Sequence, residues 1–360
     1  MPTPRLPRTP HLSALTRRRF IGLSAAGAAG LALGACGDDD DDTAASGTTS
    51  GSDATSATDT TRRASSPTFD GRTITTAVYA KNHASSPLYW QQFAPEGLTV
   101  EPVIFTSPSD INRALESGEL DFGLMGPYNS LVEAEQGFGA KIICMCSRQG
   151  IGVVGRSDQG IETAADLAGK RVAIPPPGVQ VLVLTYLLAQ EGLVIDRDLQ
   201  GIPLGFADHP GALERGDVDA FAGTEPLVTQ SVAPGIGTRL SGVYDTPLGD
   251  LNTAMWAAPK NQEDADLLTA VVQMQRDAAE FLTPGGENDR EVWQDLLVTQ
   301  FGYSEEVYEE VLDNIGAVWE FGDDRREQFE GVAELLLGDG LLTREPDFDS
   351  LFLLDFLPES

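Results

Sequence analysis

The sequence predicts an α/β protein of two lobes, each a mainly parallel sheet flanked by helices, joined by a two-segment hinge. Three observations carry this. A short passage occurs twice, as Ala114-Leu115-Glu116-Ser117-Gly118-Glu119-Leu120-Asp121-Phe122 and as Ala212-Leu213-Glu214-Arg215-Gly216-Asp217-Val218-Asp219-Ala220. Each copy reads as a helix end, a glycine at the left-handed stop position, and a short strand. Around each copy, strand-like and helix-like segments alternate, the pattern of parallel sheets with crossover helices. Beyond Gln262 the spacing is helical throughout.

The first lobe opens with strand Thr73–Tyr79, a polar loop at 81–87, and a helix from Leu88. Strand Thr99–Phe105 follows, then a helix opened by Ser107-Pro108 and closed at Gly118. Asp121–Met125 is the third strand, Tyr128–Gln136 the next helix, and Lys141–Ser147 with Gly152–Gly155 read as extended crossing segments. The pattern restarts with a helix and strand over Ala164–Ile174, and Pro175-Pro176-Pro177-Gly178 breaks the chain before an apolar helix, Val179–Gln190. Leu199–Leu204 and Thr238–Val243 are strands of this lobe, and Leu251–Ala257 carries the chain back. Helices are expected at Glu263–Leu282, Arg290–Phe301, Glu305–Ile315 and Arg325–Leu337. The expected division is residues 70–150 with 246–360 for the first lobe and 151–245 for the second, the hinge lying near 147–152 and 243–252.

The chain is 360 residues long, enough for two cores. A formal charge of −31 excludes a nucleic-acid partner, since nothing could neutralise a phosphate backbone. Such a surface repels its own copies, and a monomer is expected. Residues 1–35 read as an export leader: Arg17-Arg18-Arg19-Phe20 carries a twin-arginine pattern, and an apolar stretch ends in Leu33-Gly34-Ala35-Cys36. That ending is similar to a bacterial lipobox, so lipid on Cys36 is expected. Loss of five arginines and no acids would take the charge from −31 to −36. Residues 36–69, with Asp38–Asp42 and a Thr/Ser/Ala/Gly run, read as a tether that holds the body at the outer face of the cytoplasmic membrane. Cys144 and Cys146 share a face of one strand and read as core thiols; no Cys or His cluster has metal-ligand spacing. No cofactor is expected.

Ligands of open α/β sheets sit beyond the carboxyl ends of the strands. The candidates from the first lobe are Asn82, His83, Ser85, Ser86 and Tyr89, then Thr106 and Ser107, then Gly126, Pro127 and Tyr128. From the second they are Gly178, Val179 and Gln180, with Thr224 and Glu225. The helix start at Gly178 offers free backbone N–H groups to an anionic or strongly accepting group. A carboxylate at Glu225 would instead suit an amino or protonated group. No nucleophile–base pair accompanies His83, so catalysis is not expected.

Asn82-His83-Ala84 with Pro87-Leu88-Tyr89, the Gly-Glu-Leu-Asp core after Ala114, Ala165-Asp166-Leu167-Ala168-Gly169-Lys170-Arg171-Val172, and Gly216-Asp217-Val218-Asp219-Ala220 with Glu225-Pro226 stand in that order. In these the chain resembles the periplasmic solute-binding proteins of ABC importers for nitrate, sulfonates, taurine and thiamine precursors. The resemblance implies the type II periplasmic-binding-protein fold, a small solute held between the lobes, and delivery to a membrane permease. The same fold hosts an enzyme of thiamine-pyrimidine synthesis with a cysteine-rich motif, but Leu251–Trp256 has no cysteine. A sensor lipoprotein uncoupled from transport is the remaining alternative.

Overall fold

The computed structural model describes residues 69–358, so the leader, Cys36 and the tether lie outside the described residues. Among the described residues, eleven strands form two sheets. The first contains β1 (Arg72–Tyr79), β2 (Leu98–Phe105), β3 (Phe122–Met125), β4 (Lys141–Gln149), β10 (Leu251–Ala257) and β11 (Ile315–Ala317). The second contains β5 (Ile151–Arg156), β6 (Arg171–Ile174), β7 (Gln200–Pro203), β8 (Ala220–Thr224) and β9 (Gly237–Arg239). The sheet orders are β11-β4-β10-β3-β1-β2 and β7-β6-β8-β5-β9. Set side by side, β2-β1-β3-β10 matches β7-β6-β8-β5. In each set three parallel strands are followed by an antiparallel one that arrives from the other sheet. The parallel pairing is therefore confined to the crossover units, and the strands that carry the chain between lobes run against it.

The repeated passage builds the same joint in both sheets. Helices Pro108–Ser117 and His209–Arg215 end at Gly118 and Gly216, with φ of 77° and 73°. Such left-handed backbone favours glycine. The last acid of each copy then ties the third strand to the first. Asp121 accepts from the Thr75 backbone N–H at 2.8 Å, and Asp219 accepts from that of Arg171 at 2.9 Å. The backbone N–H groups of Asp121 and Asp219 donate back to the Thr75 and Arg171 carbonyls at 3.2 and 2.7 Å. Lys260 neutralises Asp121 at 2.8 Å, and Arg171 neutralises Asp219 at 2.7 Å.

Around the first sheet, Trp90, Phe122, Trp293 and the helix Ala265–Leu282 form one core. Cys144 and Cys146 lie in it as buried free thiols. Another cluster runs from Ile111, Met125 and Leu131 of the first lobe to Val153 and Leu182 of the second, so the lobes share apolar packing behind the cleft. The stretch after Gln262 is helical over Ala265–Leu282, Arg290–Gln294, Glu305–Val311 and Asp323–Gly338. Residues 295–300 widen into a π-helical turn. Residue Ile315, expected at a helix end, instead starts β11, because the segment pairs with β4 between Ser147 and Gln149.

The chain crosses between sheets twice, and the crossings are bonded to each other. Gln149 N–H donates to Asp250 O at 2.6 Å, and the Asn252 amide donates to Gln149 O. The Tyr244 hydroxyl bridges the N–H and C=O of Ile151 at 3.3 and 3.1 Å. His83 packs on this crossing: a Cβ on Gly150 would lie 2.0 Å from its ring, and Nδ1 donates to Glu225 O at 3.3 Å. His209 is equally enclosed, between Phe206 and Phe221, donating from Nε2 to Leu204 O at 3.1 Å.

Two stability predictions result. Burial raises the Asp219 carboxyl, but the Arg171 guanidinium and backbone N–H outweigh it and bring it to about 2. Its stabilisation is present above the ordinary carboxylate range and is lost as pH falls toward 2. Asp219→Ala should cost about 1.5–3 kcal/mol in urea unfolding at pH 7. The gap to the parent should close below about pH 4; a gap constant to pH 2 would contradict the assignment. Burial also lowers His83 and His209 to about 4. The unfolded chain therefore takes up these protons first, and stability should fall as pH drops from about 6.5 to 4. The His83→Gln, His209→Gln double variant should flatten that limb of the urea-midpoint profile, and an unchanged slope would refute the role given to these rings.

Candidate functional site

A cavity of about 360 Å³ lies between the two lobes. The first lobe supplies the ends of β1 and β2 with their loops: Tyr79, Lys81, Asn82, Phe105 and Thr106. It also supplies Gly126 and Asn129, and Asn252 and Thr253 from the returning strand β10. The second lobe supplies Pro177, Gly178, Val179 and Gln180, then Gly205, Phe206 and Ala207, then Thr224 and Leu227. Both lobes therefore present the carboxyl ends of their parallel strands, as open α/β sheets do.

The lobes touch at the cavity's edges. The Asn129 amide donates to Pro177 O at 3.4 Å, and the Asn82 amide donates to Thr224 Oγ1 at 3.2 Å. A Cβ on Gly126 would stand 3.3 Å from both a methyl of Val179 and the Asn252 carbonyl oxygen, a tight fit that these neighbours would have to yield to. Asn82 is oriented by its own loop: its Oδ1 accepts from Ala84 N–H at 2.8 Å. Lys81 holds a left-handed φ of 51°, and its carbonyl accepts from the Tyr303 hydroxyl at 3.0 Å. The helix Val179–Gln190 begins at Gly178, and no side chain caps its first turn. Its free N–H groups and positive dipole end are set against the cavity, favouring an anionic or accepting group by about 0.3–1 kcal/mol.

Seven of the sequence candidates line this cavity: Asn82, Thr106, Gly126, Gly178, Val179, Gln180 and Thr224. The other eight do not. His83 is buried against the hinge. Ser85 bonds its own loop at Asn82 O, and Ser86 and Trp90 both donate to the buried Gln275 amide at 3.0 Å. Tyr89 packs on Phe281, and Tyr128 joins the apolar cluster behind the cleft. Ser107 and Pro127 precede and open helices.

Glu225 is the main correction. It is fully buried, with one carboxylate oxygen 2.6 Å from Arg239 and the other accepting from Thr229 N–H at 3.0 Å. Burial pushes its carboxyl up, against the opposing pull of Arg239. A side chain so enclosed cannot offer charge to a solute, so the preference for an amino group argued from it does not hold. The residues that sequence reasoning missed, Tyr79, Phe105, Asn129, Phe206, Asn252 and Thr253, had one available signal. Tyr79 and Phe105 are the last residues of paired parallel strands, where the sheet meets the cleft.

Comparison with known proteins places this geometry. A Brucella abortus protein described as a candidate binding protein is 29% identical over 150 residues, covering 40% of this chain and 43% of that protein. The chain thus matches under half the length of these curated relatives. The ligand-binding component of an ABC-type import system from Staphylococcus aureus superposes with a TM-score of 0.67 at 15% identity, covering 79% of this chain and 97% of that one. The alkanesulfonate-binding protein SsuA of Xanthomonas axonopodis pv. citri gives 0.65 at 20% identity, covering 81% and 100%. The desulfurization enzyme DSZB gives 0.59 at 15% identity, covering 79% and 97%. The two-lobe fold is that of these proteins. Residues 88–297, more than half of the sequence, match the profile of the NMT1-like family, and the chain belongs to the NMT1-like family.

Proposed function

We propose that the protein is an extracytoplasmic solute-binding lipoprotein of an ABC importer that encloses a small organic solute between its lobes. The observation that carries this is the cavity itself, whose wall is built from both lobes at once. A solute there makes its full set of contacts only when the lobes are together, so binding and closure are linked. Two structural neighbours support the reading, one the ligand-binding component of an ABC-type import system and one an alkanesulfonate-binding protein. The solute passes to a permease, and the body acts as a monomer. The twin-arginine leader, the lipid on Cys36 and the tether belong to the same proposal. No helix among the described residues is long and apolar enough to cross a membrane.

DSZB shows that the fold can carry an enzyme. Hydrolysis or group transfer needs a nucleophile with a base beside it. Among the described residues the cavity wall has threonines but no cysteine, serine, histidine or carboxylate, which favours capture over chemistry.

Thermal-shift screening of sulfonates, nitrate, carboxylates, aminopyrimidines and flavins should find a solute that raises the melting temperature by several degrees. At a hundred times Kd the stabilisation is about 2.7 kcal/mol. Silence across the whole screen would count against the reading. Gly126→Leu should hold the lobes apart by pressing on Val179, lowering affinity at least about tenfold while leaving the melting temperature of the free protein within a few degrees. Unchanged affinity would show that closure is not needed. In a lipidating bacterial host, labelled palmitate should enter the parent and not Cys36→Ala, and label in both would remove the anchor.

A further inference from the structure

The cavity wall departs from the rest of the molecule in charge. The chain carries 55 acids in 360 residues, so about three carboxylates would be expected among 21 lining residues at the average frequency. Among the described residues the wall has none, and Lys81 is its one charged side chain. Lysine is scarce here, the others being Lys141, Lys170 and Lys260. Glu225, adjacent in sequence to the lining residue Thr224, is turned away and neutralised by Arg239. The Asp208 carboxylate lies close by, 3.9 Å from where a Cβ on the lining Gly205 would stand. A wall that itself carries one cation and no carboxylate, inside a strongly acidic protein, favours negative charge.

The rest of the wall describes the ligand's body. Tyr79 and Phe105 come from one lobe, and Phe206 with Val179 and Leu227 from the other. Rings contributed by both lobes suit a planar apolar group. Asn129 and Gln180 offer hydrogen bonds, and the first turn of the helix at Val179 adds donors for the anionic end.

We infer that the solute is an organic monoanion, a carboxylate or sulfonate on a flat aromatic body, and that Lys81 is its counter-ion and the residue that sets this preference. The inference rests on the solute-binding reading above. Lys81 is positioned for the task by a backbone conformation lysine seldom adopts, with its carbonyl held by Tyr303. It is exposed, so its exchange should not disturb the fold.

Isothermal titration calorimetry with matched pairs tests this: benzoate against benzamide, 2-naphthoate against 2-naphthamide, benzenesulfonate against benzenesulfonamide, with butanesulfonate as the aliphatic control. The anion of at least one pair should bind at least about tenfold tighter than its neutral partner, and more weakly as salt rises. Lys81→Gln should lose about tenfold for that anion and leave the neutral partner unchanged, while Lys81→Arg restores most of the affinity. Melting curves of the free variants should match the parent. Neutral members binding as well as the anions, butanesulfonate matching benzenesulfonate, or an unaffected Lys81→Gln would overturn this inference while leaving solute capture standing. Tight binding of aminopyrimidines or flavins alone would do the same, whereas failure of every solute of either charge would bring down the solute-binding reading as well.

Discussion

The structure depends on how two strands cross between its lobes without coming apart. At Gln149 the outgoing strand is bonded through backbone and side chain to Asp250 and Asn252 of the returning one. These bonds carry the β4–β10 pairing of the first sheet to the point where both strands leave it. Gly150 then lets the His83 ring lie where any side chain would clash, and the Glu225 N–H donates to the Gly150 carbonyl at 3.0 Å. A joint so narrow and so fully bonded fixes which surfaces of the two lobes meet. The cavity follows from that restriction, because the strand ends of both lobes are aimed at one gap.

The same restriction decides the electrostatics of the gap. The end of β8 brings Thr224 to the cavity, and the turn after it sends the Glu225 side chain inward, where Arg239 of β9 meets it. A buried carboxylate would be costly alone, and the guanidinium with the Thr229 N–H makes it tolerable. Lobe integrity and cleft chemistry are thus settled by one residue's orientation. With Glu225 committed to the lobe interior, the cavity keeps the positive character of a helix start and of Lys81.

Much of the fold was legible because it is local. Gly118 and Gly216 mark helix ends through a backbone conformation that sequence can announce, and the acids behind them fall at a fixed spacing. The triple proline and Gly178 likewise announced the helix that faces the gap. The site was legible only where it is made of loops and helix starts. Asn252 and Thr253 belong to a strand whose apolar look gave no hint of the cleft, and β11 could not be seen before its partner β4 was placed. The fate of Glu225 was hidden because its partner stands fourteen positions away, a separation no helix or turn rule links. Ser85 and Ser86 read as ligand donors because polar loops near a sheet end usually are. Here Gln275 and the loop backbone absorb them.

The central claim is that the gap between the lobes is a binding chamber for a dissolved small molecule. It is met most directly by a crystal structure grown with the tightest solute from a binding screen. The account predicts ligand density enclosed between Tyr79 and Phe105 on one side and Val179 and Phe206 on the other, with the Asn129 to Pro177 contact in place over it. Density seated elsewhere on the surface, with this chamber left unfilled, would contradict it.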